Sequence, residues 1–236
     1  MNKLLSDIRK ELKKNIDLDY KKGVKRFFKE EIKVHGVRTP VVREISKKYF
    51  QKVKHLKKKE IFLLCEKLLQ TGYGEQEGIA FNWAFRLYKQ YERKDFKIFE
   101  SWLKEYVSDW AKCDIFCSRA FGYFIYGFPE FLSEVRLWTK SKNRWLRRAS
   151  AVILIYPIKR SKKFLSHVFK TADILLMDFD DMVQKGYGWM LKETSNIYPK
   201  QVFDYVMKNK DKMPRTALRY AIEKYPQGLK KKAMER

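Results

Sequence analysis

Trp110 and Asp114 stand four residues apart, the spacing that puts two side chains on one face wherever the chain is helical. An indole face and a carboxylate both attract positive charge, so such a pair could stabilise a cation held against the helix. Taken alone the pair is ambiguous. A tryptophan on a helix is more often core, and an aspartate one turn later is more often a surface charge or a cap. The remaining candidates for chemistry read more weakly. Cys113 and Cys117 form a C-x-x-x-C, but no second Cys/His pair completes a zinc set, and His35, His55 and His167 are scattered. Asp178, Asp180 and Asp181 in MDFDDM could hold Mg²⁺ as in a nuclease, although acids just before a helix more often cap it and complement its dipole. No glycine-rich phosphate loop, G-x-S-x-G or Ser/His/Asp set stands out. Neither a metal nor a cofactor is expected.

The charge balance narrows the partner. The chain carries 53 Lys and Arg against 28 Asp and Glu, a formal charge of +25. Like charges repel in the compact state, so such an excess points to a polyanion, and nucleic acid is the commonest. Between Lys140 and Lys170 lie 10 basic residues and no acid. The stretch is not a basic tail, because KSKNRWLRRASAVILIY interleaves its cations with Trp145, Leu146 and an apolar run from Ala149 to Tyr156. Arg147 and Arg148 therefore have no carboxylate nearby in sequence, and phosphate becomes their natural acceptor through bidentate contacts.

The elements that must position these residues are helical nearly throughout. Ile61, Leu64, Cys65 and Leu68 in EIFLLCEKLLQ follow the i, i+3, i+4, i+7 spacing of one helical face. Phe96, Phe99, Trp102, Leu103 and Tyr106 in FKIFESWLKEYV repeat that pattern. No pair of alternating runs joined by Asn-Gly or Asp-Gly suggests a hairpin. Breaks at Gly36 to Pro40, Thr71 to Gly74, Gly127 to Pro129, Tyr156-Pro157, Tyr198-Pro199 and Met213-Pro214 cut the chain into about eleven to thirteen helices. Residues 77–91, 143–156, 182–195 and 213–225 read as degenerate versions of one helix, each setting basic residues beside small ones. Their starts near 143, 182 and 213 are spaced like helix-pair solenoids, in which every second helix lines a concave face. Arg43, Lys185 and Arg215 stand near the starts of such helices, where backbone N–H groups also favour phosphate.

Composition agrees with a folded, helical chain. At 236 residues, 45% hydrophobic and 16% aromatic, it can bury a substantial core. With 10 Gly, 6 Pro and no Gly/Pro/Ser-rich linker, one continuous domain over residues 1–236 is expected. Three cysteines give no disulfide framework, as suits a reducing cytosol. MNKLLSDIRKELKKN lacks the apolar segment of a signal peptide, and no apolar stretch approaches the roughly 20 residues that span a bilayer. A cytoplasmic protein without a membrane partner is expected.

Several blocks together resemble a known family: VKRFFKEEIKVHGVRTPVVREI (24–45), IAFNWAFRL (79–87), SDWAKCDIFC (108–117), WLRRASAV (145–152), VQKGYGWMLKE (183–193) and MPRTALRYAIEKYP (213–226). Their order and spacing are similar to those of the AlkD-type DNA alkylation-repair glycosylases, built from HEAT-like repeats. The resemblance covers roughly Val24 to Pro226. It implies an all-α fold, a single curved α-solenoid of antiparallel helix pairs, acting as a monomer on alkylated double-stranded DNA. It also implies excision of positively charged N3- and N7-alkylated purines without a metal, and without turning the base into a deep pocket. The family's catalytic aspartate matches Asp114, its two tryptophans match Trp110 and Trp189, and a DNA-contacting arginine matches Arg148. The best-known members carry a second tryptophan and an extra acid beside the aspartate, where this chain reads Asp109 and Ala111, followed by Lys112 and Cys113.

That reaction suits the residue types. A purine alkylated at N7 or N3 departs as a neutral base and needs no general acid. The barrier left is the oxocarbenium character of the deoxyribose, which a carboxylate near C1′ stabilises directly or by positioning water. Aromatic faces add about 0.5–2 kcal/mol each through cation–π attraction. On the resemblance, Trp189 comes from a neighbouring repeat and completes a three-sided cleft. Two rivals stay open: a non-catalytic DNA-binding protein of the same fold that recognises distorted or branched DNA, and a scaffold for an acidic protein.

Overall fold

The computed structural model describes residues 2–235, and all regular structure among them is helical. The helices pack as two compact units, Met1–Phe116 and Cys117–Arg236. Unit 1 contains α1 (Asn2–Lys14), α2 (Leu18–Phe27), α3 (Thr39–Val53), α4 (Lys58–Leu69), α5 (Gly74–Arg86), α6 (Asp95–Tyr106) and α7 (Trp110–Ile115). Unit 2 contains α8 (Gly122–Gly127), α9 (Leu132–Leu137), α10 (Arg144–Val152), α11 (Ile155–Ile158), α12 (Leu165–Leu175), α13 (Asp181–Ser195), α14 (Pro199–Asn209), α15 (Arg215–Ala221) and α16 (Gln227–Met234).

Sixteen α-helices among the described residues exceed the eleven to thirteen expected. The difference lies mainly in unit 2, where short 3₁₀ turns at Pro129–Phe131, Trp138–Lys140 and Lys162–Phe164 divide the helical path. Tyr156-Pro157 is not a break. Pro157 sits in the first turn of α11, where its missing N–H would have no helical acceptor, and the chain turns earlier at Ile153 and Leu154. The breaks before α14 and α15 fall at Pro199 and Pro214 as expected.

The apolar periodicities are buried where they pointed. In α4, Ile61, Leu64, Cys65 and Leu68 enter the core, as do Phe96, Phe99, Trp102 and Leu103 of α6. Around them Phe62, Phe81 and Phe116 complete an aromatic cluster, with Phe81 and Phe116 stacked at 4.6 Å. Such contacts add to the roughly 1.5–3 kcal/mol that each large buried side chain contributes through removal from water.

In unit 2, α13 packs against both α10 and α15, so three of the four repeat-like segments are spatial neighbours. The two glycines of the GYG run in α13 make this possible. A Cβ on Gly186 would lie 2.9 Å from Arg148 Cγ, and one on Gly188 would lie 2.7 Å from Tyr220 Cβ and 2.9 Å from the Ala217 carbonyl oxygen. Each glycine lets one neighbouring helix approach. Gly188→Ala should therefore destabilise the fold by about 1–3 kcal/mol through overpacking. Gly78→Ala in the interior of α5, where a Cβ meets nothing within 4 Å, should stabilise it by about 0.5–1 kcal/mol. Urea midpoints moving in the same direction for both would contradict this packing.

Candidate active site

Helix α7 begins where Asp109 turns extended and its side chain accepts the N–H of Lys112 at 3.0 Å. Capping is thus performed by Asp109 and not by Asp114, which lies in the next turn and is half-buried. A π-helical turn, Phe116–Phe121, follows directly, a local irregularity often found beside functional residues. Trp110 opens the helix. Its ring stacks on Phe28 at 5.0 Å and 13° and meets the edge of Phe27 at 5.8 Å and 72°.

These aromatics border a cavity of about 560 Å³ within unit 1. Tyr20 and Val24 of α2, Val34 of the following strap and Phe81 of α5 supply much of the apolar wall. The strap is held by Glu75, whose buried carboxylate accepts the N–H groups of His35, Gly36 and Val37 at 2.9, 2.7 and 3.1 Å. Trp110, Ala111, Lys112 and Ile115 line the cavity from α7, and Asp114 is not part of the wall. The i, i+4 pair thus shares one helix while only the tryptophan faces this space.

Two buried acids share one lysine of that wall. Lys112 Nζ lies 2.9 Å from Glu77 Oε2 and 3.6 Å from Asp109 Oδ2. Burial pushes the Glu77 carboxyl up to about 7 against the pull of Lys112, and raises Asp109 too. Desolvation wins because a single ammonium cannot neutralise two carboxylates out of water.

In unit 2, Arg148 of α10 is buried and its guanidinium donates to the Met182 carbonyl at the start of α13. Trp189 lies one turn beyond the Gly186 contact, half-buried, its indole N–H donating to Glu193 Oε1 at 3.1 Å. Burial works to raise the Glu193 carboxyl, but its ion pair with Lys159 and the Trp189 hydrogen bond outweigh it and hold the group below the ordinary carboxylate range. The indole is therefore oriented by a fixed anion. The structure gathers Trp110 and Asp114 on α7 in unit 1, and Arg148 and Trp189 on the packed helices α10 and α13 in unit 2.

The basic residues differ from expectation. The premise that Arg147 lacks a carboxylate partner is corrected. It is buried, and its Nε donates to Asp178 Oδ2 at 2.7 Å, an acid 31 residues along the chain. Lys185 pairs with Asp181 at 3.2 Å, and Arg215 donates to the Met234 carbonyl at 2.9 Å near the C-terminus of α16. Arg43 is exposed on α3. Asp180 caps α13 through the N–H of Met182 at 2.9 Å, the structural alternative weighed for the acidic run.

The family model described as DNA alkylation repair enzyme matches residues 8–225. The chain belongs to this family. No curated protein sequence matches it. Among solved structures, a protein from Enterococcus faecalis described as a predicted DNA alkylation repair enzyme is similar, with a TM-score of 0.77 at 17% identity. That likeness covers 90% of this chain and 98% of the other, and at this identity it speaks for the fold alone.

In this member of the family, the aromatic cavity has little signal in the sequence. Its only trace in the sequence is the Phe27-Phe28 doublet among charges in KRFFKEE, which no periodicity assigns to a core. No helix among the described residues is long and apolar enough to cross a membrane. The shared lysine makes a pH prediction. Because the Glu77 carboxyl is raised from 4.5 to about 7, the folded chain keeps a proton that the unfolded chain releases. This contribution to stability is complete at low pH and is lost as pH rises through about 7. Glu77→Gln should flatten that part of the Tm-versus-pH curve, and an unchanged slope would refute the assignment.

Proposed function

We propose that this chain is a DNA glycosylase that excises positively charged N3- and N7-alkylated purines from duplex DNA. In this reading the chain acts as a single HEAT-like repeat domain, an α-solenoid, and as a monomer that needs no metal. One observation carries it. The chain has six tryptophans, and Trp83, Trp102, Trp138 and Trp145 are core residues at 0, 1, 5 and 7% exposure. Trp110 and Trp189 alone among them are half-buried, and they are the two that the family pattern assigns to the site. Their partial exposure supports a site role for this pair over a purely core one. That Asp109 caps α7 leaves Asp114 without that task, which also supports the reading.

The chemistry follows from the lesion's charge. The C1′–N bond breaks with its electron pair passing to the cationic base, which leaves neutral. A water oxygen then bonds C1′ and releases a proton. Asp114 stabilises the positive charge that develops on the sugar and orients the water, while Trp110 and Trp189 present π-faces to cationic character. Arg148, buried and bonded to the main chain of α13, is a fixed positive charge for the DNA backbone, and the overall excess of cations supplies long-range attraction. Arg147, Lys185 and Arg215 contribute to that field while engaged with protein groups; Arg43 is the exposed member of the set.

The test is release of base from duplex DNA methylated at N7 of guanine. Asp114→Asn should lower the rate by about 10²-fold or more while duplex affinity is kept. Wild-type protein that binds tightly and releases nothing would overturn the glycosylase and leave the non-catalytic DNA-binding reading. Affinity should also fall steeply with salt, log K against log salt having a slope of about −0.9 per phosphate neutralised. An association indifferent to salt would remove the charge argument.

A further inference from the structure

The acidic run before α13, which capping explains only in part, flanks Phe179, the most exposed large hydrophobic side chain among the described residues. Between α12 and α13, Phe179 is 89% exposed and Met177 is 70% exposed, an unusual cost in apolar surface for a connecting loop. The loop is nevertheless fixed on both sides of the ring. Asp178 receives Arg147 Nε at 2.7 Å and the N–H of Asp180 at 2.9 Å, and its carbonyl accepts Gln184 Nε2 at 2.8 Å. Asp180 in turn accepts Arg144 Nη2 at 2.7 Å while capping α13. A loop whose only task was to link two helices would not need its tip residue bracketed by two ion pairs, the one from Asp178 to Arg147 being buried.

Arg147 also joins this tip to a cationic loop. Its guanidinium lies 5.4 Å from the Phe179 ring centre, and its Nη1 donates to the carbonyls of Ser141 and Lys142 at 2.9 and 3.3 Å. Lys140 and Lys142 on that second loop are exposed. One buried arginine therefore holds an outward aromatic beside outward lysines. The platform itself is balanced, Arg144, Arg147 and Lys185 being met by Asp178, Asp180 and Asp181. The ring can thus approach an apolar stack without carrying a net charge into it, while the lysines meet phosphate.

We infer that the Met177–Asp180 loop is a DNA wedge, with Phe179 inserting between adjacent base pairs of duplex DNA. Apolar side chains used in this way unstack one step and bend the duplex, repaid by wider contact. Charge complementarity selects DNA over a protein partner: the loop beside the ring belongs to the acid-free stretch from Lys140 to Lys170. The inference rests on the DNA-binding part of the proposed function and is independent of hydrolysis at Asp114.

The test uses the full chain and duplexes bearing 2-aminopurine at successive steps, whose fluorescence rises when the base is unstacked. Wild type should raise fluorescence at one step, Phe179→Leu should keep much of the rise, and Phe179→Ala should abolish it and weaken binding about tenfold. Thermal unfolding of all three should coincide, because the side chain is exposed. Equal fluorescence and affinity for wild type and Phe179→Ala would overturn the wedge, as would loss of self-association in Phe179→Ala with DNA binding intact. Base release by wild type, measured alongside the fluorescence, separates the two readings: a Phe179-dependent rise without base release keeps the wedge and sinks the glycosylase, and release without that rise does the reverse.

Discussion

A guanidinium taken out of water must find acceptors, and in unit 2 that requirement organises everything around α10. Arg147 and Arg148 are adjacent, buried, and set in a stretch of chain with no acid. Leaving either unpaired would cost several kcal/mol. Arg147 is satisfied by Asp178 and by the carbonyls of Ser141 and Lys142, which ties together two loops that sequence separates widely. Arg148 is satisfied by the main chain of α13, and the absence of a side chain at Gly186 lets it lie there. Removal of one partner would leave a buried charge uncompensated, so α10, α13 and the loop before α13 hold their positions as a set. Trp189, one turn after Gly186, inherits its place from that contact.

Unit 1 meets the opposite problem. In a chain of net charge +25 it buries Glu75, Glu77 and Asp109 around one aromatic cavity. Glu75 spends its oxygens on the backbone of the strap, Asp109 starts α7, and Glu77 shares Lys112 with it. These acids are structural in their hydrogen bonds, yet they also set the electrostatic character of the helix that carries Trp110 and Asp114. These buried acids set the region apart from the strongly basic remainder of the protein, and burial lifts the Glu77 and Asp109 carboxyls against the pull of Lys112.

Much of this was legible residue by residue. The faces of α4 and α6, the proline starts of α14 and α15, and the capping role of Asp180 follow from local rules that act within a few residues. The GYG run could be marked as a motif, though not as the place where Arg148 and Tyr220 approach α13, because a glycine's neighbours across a helix interface are not its neighbours in sequence. The number of helices was underestimated for a related reason: short 3₁₀ turns in unit 2 have no strong composition signal, and packing decides where a helical path bends. Tyr156-Pro157 was misjudged because a proline in a first helical turn and a proline between helices look alike in one dimension.

The amino-acid sequence by itself determined that this protein is all-helical, strongly basic and patterned like the DNA alkylation repair family, because helical periodicity, charge and motif order are properties of the chain. Only the tertiary structure decided which charges are still turned outward and which tryptophans are not core. Arg147 reads as a phosphate ligand until Asp178 arrives from 31 residues away, and Phe179 reads as one more apolar residue until its neighbours are seen to hold it in solvent. The physical reason is that burial and ion pairing are set by distance in space. A stretch without acids is free of carboxylates only along the chain.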